Sequence, residues 1–80
     1  MTLQEALIQR IYELLEENHI SLNKLSTQCG VSQSTLNNIV SGRNRSATVS
    51  TIKKICDGLD MTLPEFFNHP LFEDLEQEIQ

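Results

Sequence analysis

At 80 residues the chain has room for one small domain, which buries only about 60% of its unfolded surface and needs well-packed elements or a second copy of itself. Its formal net charge of −5 is the opposite of what a nucleic-acid binder carries when taken whole. No apolar run is long enough to span a membrane and no basic-then-apolar leader opens the chain, so a cytoplasmic protein is the expectation.

The first element is a helix. Thr2 and Glu5 have capping-box spacing, and Leu3, Leu7, Ile8, Ile11, Leu14 and Leu15 recur at helical intervals as far as about Asn18. Ser21 then caps a second helix with Leu22, Leu25 and Cys29 on one face, and Gly30 ends it by taking the left-handed conformation. Val31 packs into the corner and Ser32 caps a third helix with Leu36, Ile39 and Val40 on its apolar side. Its other side carries Gln33, Ser34, Asn37 and Asn38, uncharged amides and hydroxyls suited to base edges, where an amide pairs bidentately with adenine. The unit is a helix-turn-helix.

A polar loop, Arg43-Asn44-Arg45-Ser46-Ala47, leads to Thr48 as the cap of a fourth helix with Val49, Ile52, Ile55, Cys56 and Leu59 on one side. Thr62 caps a short fifth helix through Phe67, with Pro64 in its first turn, where the missing N–H does no harm. After Pro70, the spacing of Leu71, Phe72, Leu75 and Ile79 predicts a last, acidic amphipathic helix. No strand pattern or repeat is present, and the fold class is all-α.

The acidic total hides a segregation. Residues 1–17 carry four acids against one base, and residues 57–80 carry seven acids and no base. Between them, residues 18–56 carry Lys24, Arg43, Arg45, Lys53 and Lys54 and no acid at all. That acid-free window spans the helix-turn-helix and the loop after it, where phosphates would sit.

Cys29 and Cys56 occupy apolar helical positions and lack the spacing of a zinc site, so no metal and no cofactor is expected. His19 and His69 stand apart from any nucleophile and read as cap or surface residues. Nothing in the chain suggests an enzyme.

The ordered residues Ser21-x-x-x-Leu25-Ser26, Cys29-Gly30-Val31-Ser32-Gln33-Ser34-Thr35-Leu36, Ile39-x-x-Gly42, Ile52-x-x-Ile55-Cys56-x-x-Leu59 and Leu63-x-x-Phe66-Phe67 resemble the phage-repressor or Cro-like helix-turn-helix family, also called XRE. The resemblance covers about residues 8–67. It implies a five-helix, lambda-repressor-like DNA-binding domain with the third helix in the major groove. It also implies base contacts from Gln33, Ser34, Asn37 and Asn38, and backbone contacts from Ser21, Asn23, Thr35, Arg43, Asn44, Arg45 and Thr48. Four positions depart from the family. Leu15 and Val40 stand where relatives carry an Arg and a Glu, Leu22 replaces a phosphate-reaching Gln, and Ala47 replaces a frequent Pro.

The expectation is therefore a DNA-binding domain over residues 1–69, with an extra acidic helix over residues 70–80 that either packs on the same domain or forms a dimer contact. The function expected is a sequence-specific regulator, a repressor acting as a homodimer on double-stranded DNA. The alternative is a protein-interaction module, such as an antitoxin-like or adaptor subunit, using the acidic C-terminal helix.

Overall fold

A side-chain hydroxyl opens every α-helix of the chain. In the computed structural model, which describes residues 1–43 and 47–79, the helices are α1 (Leu3–Asn18), α2 (Leu22–Cys29), α3 (Gln33–Val40), α4 (Val49–Gly58) and α5 (Leu63–Phe67). Their N-caps are Thr2, Ser21, Ser32, Thr48 and Thr62, each accepting a backbone N–H from the third residue of its helix and satisfying one orphan donor. Thr2–Glu5 and Thr62–Glu65 are full capping boxes. His19 and Gly30, with φ of 53° and 70°, end α1 and α2 in the left-handed conformation. Among the described residues there is no strand, and the all-α class holds.

Short helices gain their stability from a common core. Leu7, Ile11, Leu14, Leu15, Leu25, Val31, Leu36, Ile39, Ile52, Ile55, Cys56 and Phe66 form one buried cluster drawing on every helix. Leu15 lies inside it and Val40 packs at its edge, so the two positions expected to carry an Arg and a Glu in relatives are both part of the apolar packing here. Burial pushes the Cys56 thiol above its ordinary value, with the charge of Asp57 adding to the effect. Val49, expected on the buried side of α4, is exposed because it is the first helical residue and overhangs the core.

The one charged group in this interior is Arg10. It sits on the apolar stripe of α1 between Leu7 and Leu14, yet leaves no polar atom unsatisfied. Its Nε donates to the Phe66 carbonyl at 2.7 Å and one terminal nitrogen donates to the Glu65 carbonyl at 3.1 Å, both at the end of α5. The other terminal nitrogen pairs with Glu13 at 2.6 Å. The guanidinium thus caps the C-terminus of α5, where carbonyls lack helical partners and a cation is favoured.

Among the described residues the expected sixth helix is absent, which corrects the reading of this last segment. Pro70–Phe72 forms a single 3₁₀ turn capped by His69, and residues 73–79 continue without helix. Glu73, Asp74, Glu76 and Glu78 have no basic partner at helical spacing, and so short a segment cannot offset both nucleation and like-charge repulsion. Backbone and side chains pull it elsewhere. Phe72 joins Phe66 and Phe67 with ring centroids 6.2 and 5.0 Å away, and the Glu76 N–H donates to the Met1 carbonyl at 3.0 Å. Ile79, placed on the apolar stripe by its spacing, is exposed.

α2 and α4 approach so closely that Gly58 has no room for a side chain. A Cβ there would lie 2.8 Å from the Cβ and 2.9 Å from the Cα of Cys29. Gly58→Ala is expected to destabilise by about 1–3 kcal/mol through overpacking against backbone, read as a lower thermal midpoint. Arg10→Met should cost a similar amount, about 1–3 kcal/mol, by orphaning the Phe66 carbonyl. Arg10→Lys should recover only part of that loss in the same melt, because an ammonium lacks the parallel donors of the guanidinium fork.

Candidate nucleic-acid interface

The helix-turn-helix is α2, the corner Gly30-Val31-Ser32, and α3, packed against each other and against the rest of the core. At 100° per residue, burial of Leu36 and Ile39 fixes the opposite side of α3. Ser34 lies near its middle, Asn37 and Asn38 flank it, and Gln33 lies at its margin. Gln33, Ser34 and Asn37 are exposed and Asn38 is partly buried. The four residues expected to face bases therefore share one side of one helix.

The residues expected at the DNA backbone gather at helix starts. Ser21 caps α2, with Asn23 exposed in its first turn. Thr35 is partly buried in the first turn of α3, and Thr48 caps α4. Thr48 Oγ1 is paired with Thr51 Oγ1 at 3.0 Å, whereas the hydroxyls of Ser21 and Thr35 have chemistry left for an anion. Ser21 Oγ accepts from the Lys24 N–H at 3.0 Å, leaving its own O–H to donate. Ser32 Oγ donates to Thr35 Oγ1 at 2.8 Å, which likewise leaves the Thr35 O–H free to give. Arg43 is exposed just past α3, its backbone N–H bound to the Asn38 carbonyl at 3.1 Å. Asn44 and Arg45 lie outside the described residues.

Acid placement separates two kinds of helix start. α1 and α5 carry a glutamate in the first turn, Glu5 and Glu65, and the cap hydrogen bonds hold both carboxyls below the usual 4.5. The first turns of α2, α3 and α4 carry no acid at all. A helix N-terminus attracts anions through its dipole and free N–H groups, and a carboxylate there would occupy and repel what the site could otherwise hold. The three helix starts expected to meet phosphate are those left open to it.

Of the lysines in the acid-free window, Lys24 and Lys54 are exposed on α2 and α4. Lys53 pairs with Asp57 one turn on, an exposed contact that offsets part of its charge. Sequence reasoning missed Arg10, although a lone charge on an apolar helical stripe is itself a signal of a buried, satisfied group. It read His69 as a cap, and the structure adds a partner: Nδ1 accepts from the Leu71 N–H at 3.0 Å while Nε2 meets Glu13 at 2.9 Å. Among the described residues, no group of three or more His, Cys, Asp or Glu side chains could hold a metal, and no helix is long and apolar enough to cross a membrane.

The comparisons with known proteins converge on this unit. The family model described as Helix-turn-helix (HTH_3), of the XRE type, matches residues 11–66. Among solved structures, the crystal structure of the prophage Lp1 protein 11 is similar, with a TM-score of 0.82 and 29% identity. The similarity covers 94% of this chain and 99% of that one. No curated protein matches the chain. The family match takes in the helix-turn-helix, α4 and most of α5, and the chain belongs to the XRE-type helix-turn-helix family of DNA-binding transcription regulators.

Proposed function

We propose that the protein is a sequence-specific repressor that binds a two-fold operator as a homodimer, with α3 in the major groove. The observation that carries the reading is the outward side of α3. It holds two asparagines, a glutamine and a serine with no charge among them, on a helix whose first turn is free of acid. Charged side chains on that side would bind phosphate anywhere, whereas amides gain most where a matching base edge is presented. Gln33 and Ser34 occupy the first turn, the end that enters the groove in helix-turn-helix proteins, and Asn38 lies one turn further on the same side.

Ser21, Asn23, Thr35, Arg43 and Thr48, with Asn44 and Arg45 from the loop, would set register on the phosphates. A helix of eight residues reaches only a few base pairs. Pairing two copies, with their recognition helices about 34 Å apart, doubles the sequence read. Repression by occupancy then needs no surface beyond the one that binds DNA. The adaptor reading draws its motive from the seven acids after Cys56, which remain, although residues 73–79 carry them without the helix that reading used.

The test is selection of a binding site from a random duplex pool, followed by titration against scrambled DNA at several salt concentrations. A palindromic site bound at least about a thousandfold tighter than scrambled DNA is expected. The log–log salt slope should be about −5, from about six phosphate contacts per dimer. Gln33→Ala and Asn38→Ala should each cost about 1–3 kcal/mol on the operator and relax sequence preference, while Arg43→Ala weakens all sequences alike. If Gln33→Ala and Asn38→Ala weaken operator and scrambled DNA equally, base reading by α3 is wrong.

A further inference from the structure

We propose that a phosphate of the bound DNA seats in a notch between α1 and the end of α3, where Tyr12 donates its phenolic hydroxyl to it beside Arg43. The proposal rests on the reading that α3 faces DNA, and it extends the interface to a helix to which no DNA contact has been assigned.

Tyr12 lies off the apolar stripe of α1 and is 50% exposed, so its phenolic hydroxyl is open to a partner from outside the chain. It lines an open notch of about 410 Å³ together with Asn37, Val40, Ser41 and Arg43. Val40, at the edge of the core, lines the same notch and gives it an apolar wall. Among the described residues, the Tyr12 hydroxyl, the Asn37 amide and the Arg43 guanidinium have no hydrogen-bond partner. The Ser41 hydroxyl, by contrast, is turned back onto the Asn38 carbonyl at 3.3 Å and does not add a donor.

The notch therefore gathers three idle donors at the flank of the polar side of α3, and among the described residues Arg43 is the single charge lining it. Glu13, next to Tyr12 in sequence, has its two carboxylate oxygens engaged by Arg10 and His69. Glu16, one turn beyond Tyr12, is exposed and is the nearest acid along that side of the helix. An anion with hydrogen-bond acceptors, approached along the acid-free edge of α3, is the partner that three idle donors and one guanidinium fit. A backbone phosphate meets that description and lies within the reach expected of a helix docked in the adjacent groove.

The experiment uses the whole protein and the operator duplex selected for it. Tyr12→Phe keeps the ring and removes only the hydroxyl. The proposal expects binding weaker by about fivefold to tenfold on operator and scrambled DNA alike, with an unchanged thermal midpoint. Ethylation interference on the operator should find one phosphate per half-site whose alkylation weakens the parent protein but not Tyr12→Phe. If the parent binds its operator and Tyr12→Phe matches it in affinity and in ethylation pattern, the notch does not hold a phosphate, while the α3 reading stands. A parent protein that selects no operator overturns both.

Discussion

An eight-residue helix does not hold itself together in water, so the direction in which α3 presents its polar residues is decided by where Leu36 and Ile39 are buried. Each contributes about 1.5–3 kcal/mol of burial, more than an isolated helix of that length could supply by hydrogen bonding alone. Both sit in the shared cluster with Leu25, Ile52 and Ile55, which ties α3 to α2 and α4. Turning the helix would expose those two side chains and bury asparagine amides without partners, and both changes are unfavourable. The side of α3 proposed to read bases is thus the by-product of a packing constraint, and its chemistry can vary without disturbing the core.

Electrostatics is arranged around that constraint rather than by the total charge. Carboxylates serve as caps on α1 and α5, and the guanidinium of Arg10 closes the end of α5 from inside. α2, α3 and α4 start on hydroxyls alone. At physiological salt the screening length is about 8 Å, so the acids after Cys56 act on DNA only where they come close to it. A net charge of −5 and a DNA-facing surface are compatible because the acid-free window and the helix starts coincide.

The sequence disclosed local rules well. Five hydroxyl caps, the left-handed Gly30 and the burial of Leu36 and Ile39 were legible because each depends on residues a few positions apart. What depended on distant partners was not. The spacing of Leu71, Phe72, Leu75 and Ile79 is helical, yet Phe72 is drawn onto Phe66 and Phe67 and the chain turns back toward Met1. The role of Arg10 could not be read locally, because its partners, Glu65 and Phe66, lie 55 and 56 residues away. Tyr12 went unnoticed for the same reason, since its notch is completed by the far end of α3. Lys53 had the right charge in the right window, but Asp57 one turn away offsets part of it.

The most direct measurement is on isotope-labelled protein titrated with its selected operator, following the side-chain amide resonances of glutamine and asparagine. Those of Gln33, Asn37 and Asn38 should shift strongly on the operator and weakly on scrambled DNA, while Gln28 and Asn68, away from the outward side of α3, stay in place. Strong shifts at Gln28 or Asn68 with the three α3 amides unmoved would contradict recognition through that side of the helix.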